Sequence, residues 1–216
     1  MEFTCLGKQG SSAGATNTAA ATGGVLAWIW GQGADIAGNK QDCVPEILTG
    51  LVMATWVQST WSWRPHVGIP GASDSGKSLL FGVLENLFGT MAVLSSKSTA
   101  AGIRQAIGNH ARVILCDEFE SDRHRQEILE LFRTGSGGSK TLRGTANQSG
   151  IGYGLRHMCW VAAIELGLLR QPDKNRYIQL ELIPPPRGKR GKISLPPPAR
   201  LRDLGQRLLA CAVRYC

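Results

Sequence analysis

Apolar positions along this chain recur at two periods, and the alternation between them lays out the elements. Pro45-Glu46 opens a predicted helix, with proline tolerated in the first turn and an acid at the positive end, and Ile47, Leu48, Leu51, Val52 and Thr55 form one face. Arg64–Ile69 reads as a short strand, and Leu79, Leu80, Val83, Leu84, Leu87 and Phe88 then follow at helical spacing. Met91–Ser95 is the next strand. Thr99 is placed to cap a helix running to about His110, with Gly108 near its end. Ala111–Cys116 reads as a buried strand, apolar without a break from Val113 to Cys116. Ser121–Arg133 is a charged helix with Ile128, Leu131 and Phe132 on its apolar face. Gly135–Gly154 is glycine-rich and polar, with hairpin potential across Lys140–Thr145 and Ile151–Arg156. His157–Ile164 and Arg176–Leu182 are further strands. Strands alternating with helices imply an α/β fold with a parallel sheet and a ligand site at the strands' carboxyl ends.

The ends differ from this body. Residues 1–41 carry little structural signal, and Ser11–Gly24 is a Gly/Ala/Ser/Thr tract that reads as a flexible segment. The repeating body spans 42–183. Two Pro-Pro-Pro runs around a basic knot make 184–198 a stiff linker, and 199–216 reads as a basic amphipathic helix opening a further, truncated C-terminal region. Trp56, Trp61 and Trp63 admit either base stacking or packing against the sheet, and packing is the expectation.

Charge sharpens the division. Of the net +8, the segment from Arg187 to Cys216 holds +7, from eight basic residues against Asp203, which leaves +1 for residues 1–186. A basic tail on a nearly neutral body fits a nucleic-acid partner. The six cysteines show no C-x-x-C or zinc spacing, and Cys116 and Cys159 lie inside apolar runs, as expected of free thiols in a reducing cytoplasm. No apolar run is long enough for a membrane span, so no membrane partner is expected.

The chemistry concentrates in Gly71-Ala72-Ser73-Asp74-Ser75-Gly76-Lys77-Ser78, which fits the phosphate-cradling pattern G-x-x-x-x-G-K-[ST] without a mismatch. A triphosphate needs several backbone N–H groups turned inward, and Gly71 and Gly76 permit that path. Lys77 supplies charge to the β- and γ-phosphates, the Ser78 hydroxyl is a ligand for Mg²⁺, and Leu79 begins the helix whose positive end faces the phosphates. The expected ligands are therefore ATP and Mg²⁺. A strand before the octet and an amphipathic helix after it supply the context that the pattern requires.

A second acidic element follows. Asp117 ends an apolar strand 39 positions after Ser78, in the manner of a Walker B carboxylate near Mg²⁺. Glu118 is then placed to orient and deprotonate an attacking water. Adjacent acids favour hydrolysis over phosphate transfer to a metabolite, and no acceptor-site signature for a small-molecule kinase is visible.

With those residues, the chain resembles the ATPase (helicase) domains of phage- and plasmid-type primase–helicases, which are similar to superfamily 3 and AAA+-like P-loop helicases. The resemblance covers about residues 45–183 and rests on Trp63-Arg64-Pro65-His66, Ser98–Gln105, Asp117-Glu118-Phe119-Glu120, Lys140–Thr145 and Asp173–Arg176. Asp74 is unusual in a P-loop, because a carboxylate near the triphosphate is electrostatically unfavourable, but it is a form that superfamily 3 helicases use. The resemblance implies a parallel sheet of about five strands with the P-loop strand central and helices on both faces. It also implies a homo-oligomeric ring with ATP between subunits. Arg176 matches the late arginine that senses nucleotide or reaches across the interface, with Arg170 as a competitor. Lys140 and Arg143 fall where such helicases place a DNA-tracking hairpin, so single-stranded DNA is the expected partner. One departure stands out: the strand that usually ends in a polar sensor reads Val161-Ala162-Ala163-Ile164-Glu165. That departure keeps open a second reading, a nucleotide-gated DNA-binding or assembly module with weak or no hydrolysis.

Overall fold

The computed structural model describes residues 44–96, 98–119, 125–144, 150–184 and 195–214. The expected flexible segment 1–41 and most of the Pro-rich linker lie outside the described residues. Helix α1 (Val44–Trp56) leads to β1 (His66–Pro70), then α2 (Lys77–Phe88), β2 (Ala92–Ser95), α3 (Ala100–Ile107) and β3 (Val113–Cys116). Next come α4 (Arg125–Ser136), β4 (Lys140–Gly144), β5 (Gly150–Gly154), β6 (Cys159–Ala163), the short α5 (Gln171–Lys174), β7 (Tyr177–Gln179) and α6 (Pro198–Arg214).

Five strands form one parallel sheet in the order β2-β3-β6-β1-β7, and β4 and β5 form a separate antiparallel hairpin. This is the α/β architecture expected. The P-loop strand β1 is an inner strand with β6 on one side and β7 on the other. Because side chains alternate across a strand, each strand feeds two cores. Val113 and Leu115 of β3 and Trp160 and Ala162 of β6 face α1, α2 and α6. Ile114 and Cys116, with Cys159, Val161 and Ala163, face α3 and α4. Helices therefore cover both faces.

Local signals set most boundaries. The Thr99 side chain accepts a hydrogen bond from the Gly102 amide at 3.0 Å, the N-cap expected for α3, and Gly108 at φ 53° closes that helix. The last strand is shorter than Arg176–Leu182: the ladder covers Tyr177–Gln179, and Leu182 adds one isolated bridge to Gly71. The hairpin forms slightly earlier than expected, with Lys140 opposite Gly154 and Arg143 opposite Ile151.

The C-terminal helix belongs to this packing: α6 lays Leu201, Leu204, Leu208 and Ala212 into the core shared with α1 and α2. Gly205 permits it, since a Cβ there would run into the Leu87 backbone carbonyl of α2. Arg202 adds a hydrogen bond to Asn86 of α2 at 3.1 Å. The basic side chains stay outside, where Asp203 pairs with Arg200 and Arg207 at 3.3 and 3.2 Å. A helix read as amphipathic and basic is thus amphipathic because it packs on the P-loop helix.

Candidate functional site

Strand β1 ends at Pro70, and the chain then makes a tight phosphate-type loop before entering α2. The Gly71 amide donates to the Ala163 carbonyl at 3.1 Å, which ties the start of the loop to the end of β6. A Cβ on Gly71 would sit 2.5 Å from the Leu182 carbonyl oxygen and 2.7 Å from the Ser75 hydroxyl, so only glycine fits. Asp74 at φ 60° and Gly76 at φ 95° both adopt left-handed backbone, and the Ser75 amide closes a turn on the Ala72 carbonyl at 3.2 Å. Asp tolerates that region better than most side chains, so the residue odd on charge grounds suits the backbone. Such a path turns successive N–H groups into one concavity.

Helix α2 starts at Lys77 with no side-chain cap at Gly76, so its first-turn N–H groups get no side-chain partner from the cap position. The Lys77 ammonium folds over the loop onto the carbonyls of Gly71 at 2.5 Å and Ala72 at 2.8 Å. Ala72, Ser73, Asp74 and Ser78 are exposed, and Gly76, Lys77 and Leu79 are half-buried. The Ser75 hydroxyl is buried without a hydrogen-bond partner. Positive charge, an uncapped helix N-terminus and glycine-only room beside them fit the phosphates of a nucleotide.

Asp117 lies at the same edge of the sheet, at the end of β3. Its amide donates to the Ser95 carbonyl at 3.0 Å, and the next amide, of Glu118, donates to the Asp117 carboxylate at 3.0 Å. Glu118 at φ 54° turns out to solvent, while Phe119 is buried and its amide donates to the Ala162 carbonyl at 2.7 Å. The two acids therefore sit on a short strained turn pinned on both sides. Strand β6 lies between β3 and β1, which puts the acids two strand spacings, about 10 Å, across from the P-loop strand. Ser78 and Asp117 are the residues that would hold Mg²⁺.

The end of β6 completes this edge. Ala163 is buried and its carbonyl is taken by Gly71, while Glu165 is exposed. Sequence reasoning missed Arg125. Its guanidinium donates to the carbonyls of Glu165 and Leu166, packs against Gly167 and lies 5.4 Å over the Phe119 ring. It joins the turn after β3 to the loop after β6. In the sequence it was one charge among several in a charged helix, and nothing marked it out.

Arg176 is not at this edge. It immediately precedes β7, and its carbonyl accepts from the amide of His66, the first residue of β1. The whole length of β1 separates it from Gly71, so the structure does not bring it to its own chain's P-loop. Its guanidinium donates to the Pro172 carbonyl at 2.5 Å, and its Nε is buried without a partner. The turn carrying it is anchored by Asp173, a buried carboxylate that accepts three hydrogen bonds from Arg133 of α4 at 2.8–3.1 Å. Arg170 is exposed, 4.0 Å from Glu130.

The β4–β5 hairpin carrying Lys140 and Arg143 also springs from the amino end, next to two exposed tryptophans. Trp56 packs in the core as expected, edge-on to Phe88, but Trp61 and Trp63 do not: they are 40% and 47% exposed. Arg64, which follows Trp63 in the chain, is buried, as are His66 and His157. Burial pushes the His66 imidazole down to about 4, and the Cys159 amide donates to its Nδ1 while its Nε2 meets the Phe132 carbonyl at 2.7 Å. His66 is thus a neutral structural group.

No protein-family model and no curated protein matches the chain. Solved structures do. The apo C-terminal region of NrS-1 aligns at TM-score 0.52 and 12% identity, over 95% of this chain and 46% of its own. The JCV helicase, with a bound acetamide compound, aligns at TM-score 0.52 and 15% identity, over 98% of this chain and 57% of its own. At these identities the likeness is one of fold. It is an α/β P-loop fold, and the chain spans about half the length of these structures.

Proposed function

We propose that this chain is the Mg²⁺-ATP-hydrolysing motor domain of a DNA helicase or primase–helicase in the replication of a phage or plasmid. The observation that carries the reading is the shared edge. The Gly71–Ser78 loop with Lys77 folded over it, and the Asp117-Glu118 turn, stand at the carboxyl ends of the parallel strands β1 and β3, with β6 between them. A P-loop fold shared with the JCV helicase supports it.

In this reading the loop amides and Lys77 bind the phosphates and stabilise the charge that develops on them. Bound Mg²⁺ would supply Lewis-acid charge neutralisation, held by Ser78 and Asp117. Glu118, exposed on its pinned turn, orients a water and accepts its proton. Arg125 keeps the Asp117-Glu118 turn and the Glu165 loop in fixed relation. Arg176, remote from its own loop, acts on the nucleotide of the adjoining subunit of a homo-oligomeric ring, held ready by the Arg133–Asp173 pair. Lys140 and Arg143 engage phosphates of single-stranded DNA, a contact that needs no sequence readout. The setting is the cytoplasm of a bacterial or phage-infected cell, consistent with the finding that no described helix is long and apolar enough to cross a membrane.

The end of β6 favours a second reading, a nucleotide-gated DNA-binding or assembly module that turns over slowly. Ala163 offers no side-chain donor, and an ionised Glu165 cannot donate one. The ATPase rate and oligomer size, measured with and without single-stranded DNA, separate the two. The motor reading expects DNA-stimulated hydrolysis that Glu118→Gln abolishes while ATP still binds. Unstimulated, negligible turnover with intact ATP binding selects the second.

A further inference from the structure

We infer that Trp61 and Trp63, with Arg156, form a stacking platform for single-stranded DNA at the root of the β4–β5 hairpin. The inference rests on the proposed DNA partner and specifies where the bases go.

Exposure is the first argument. This chain buries tryptophan where it uses it for packing: Trp56 is 7% exposed and Trp160 is 0% exposed. Trp61 and Trp63 stand one residue apart at 40% and 47%, and the intervening Ser62 is exposed as well. Two indoles left in water within three residues cost solvation free energy that core packing does not return.

Their presentation is fixed, which is the second argument. The Gln58 side chain donates to the Ala111 carbonyl at 3.0 Å and accepts from the Met158 amide, locking the turn before Trp61. The Arg64 amide donates to the Ser136 carbonyl at 2.9 Å, so the chain just after Trp63 is tied to the end of α4. The Arg64 guanidinium, buried with its Nε unpartnered, reaches back to the Trp61 carbonyl at 2.6 Å. Burying a cation this way is costly. What it secures is the short span that holds both indoles, and a rigid aromatic pair loses little entropy when a ligand stacks on it.

The third argument is position and charge. The position of a Cβ on Gly138 lies 2.7 Å from Arg64 Nη2 and 3.6 Å from Arg156 Cγ, so the span touches the turn that leads into β4. The Leu155 amide donates to the Ser139 carbonyl at 3.3 Å, closing the hairpin's root, and exposed Arg156 follows. Lys140 opens β4 opposite Gly154. Arg64 feels the charge of Arg156, and His66 feels Arg176, Arg64 and His157; each of these neighbours is basic. Two exposed indoles on a span tied to Arg64, itself close to exposed Arg156, with no carboxylate among those neighbours, suit bases joined by phosphates. An acidic protein surface would satisfy the cations but leave the indoles without a stacking partner.

Fluorescence anisotropy of a labelled oligo-dT strand with the full chain tests this, with a blunt duplex of equal length as comparison. Trp61→Ala/Trp63→Ala is expected to weaken binding to the single strand by about 10–100-fold and to leave duplex affinity unchanged. Trp61→Phe/Trp63→Phe should recover most of the loss, which separates stacking from a general disturbance of the loop. Arg156→Ala should lower the salt slope of binding by about one. Wild-type affinity in the alanine double variant overturns the platform, and so does failure of the phenylalanine pair to recover binding when its thermal midpoint matches wild type. If the wild-type chain binds oligo-dT and only Lys140→Ala/Arg143→Ala weakens it, the platform falls and the DNA reading stands. If the wild-type chain binds no single strand, both fall.

Discussion

The two ends of the parallel sheet are built on opposite principles. At the carboxyl end, Asp74, Gly76 and Glu118 take left-handed backbone, and the side chains proposed to carry the chemistry are exposed or half-buried. At the amino end, Arg64, His66, His157 and Asp173 are buried, and the nitrogens Arg64 Nε, His157 Nε2 and Arg176 Nε go unmatched. Strain with exposure marks a surface that meets a ligand. Burial with imperfect satisfaction marks an anchor, whose job is to hold other groups in place. Substitutions at the first end should therefore change rate without changing stability, and at the second end the reverse.

The largest effects should test the carboxyl end. Lys77→Ala is expected to lower ATP hydrolysis about 10³-fold, and Glu118→Gln by about 10²–10⁴-fold with nucleotide binding retained, in phosphate-release and calorimetric binding assays. Both should keep the wild-type thermal midpoint. A drop of several degrees in Glu118→Gln would blur the contrast, because the exposed acid would then be structural.

Next comes the helix that covers the P-loop helix. Leu208 is fully buried between α6 and the core, so Leu208→Ala should cost about 2–5 kcal/mol in denaturant unfolding. A loss below about 0.5 kcal/mol, the range of surface substitutions, would detach α6 from the domain.

The amino end predicts a pH dependence. An unfolded His66 takes its proton as pH falls through the ordinary 6.5, whereas burial keeps the folded imidazole neutral down to about 4. The unfolded state binds more protons in that window. Stability is therefore full above 6.5 and falls toward 4, with a slope of about 1.4 kcal/mol per pH unit from this group. His66→Gln should reduce the slope while leaving ATP affinity unchanged, and His157, lowered mainly by burial too, keeps part of it. An unchanged slope would remove His66 from the anchor. The smallest effect is Thr99→Ala, which deletes the α3 cap at about 1 kcal/mol.

Legibility followed the same divide. The octet Gly71–Ser78 was readable because a phosphate loop is local: eight consecutive residues set their own backbone path, with glycine at 71, where there is no room for a Cβ, and at 76, where φ is 95°. Asp117-Glu118 was readable because a strand buried on both faces ends where its apolar run ends. Trp61 and Trp63 were expected to pack like Trp56, since composition does not say which indole finds the core. Arg125 went unnoticed because its partners are backbone carbonyls from residues 165 and 166, forty positions on.

By itself, then, the sequence determined the phosphate loop, the acidic turn, the helix caps and the α/β alternation, all of which depend on neighbours within a few residues. The tertiary structure decided the rest. It carried Arg176 to the far end of β1 from its own P-loop, packed α6 onto α2 through Gly205, buried Arg64 and His66, and left two tryptophans in water. Those outcomes depend on which surfaces meet after the strands pair in the order β2-β3-β6-β1-β7, and pairing between distant segments leaves no local trace in the chain.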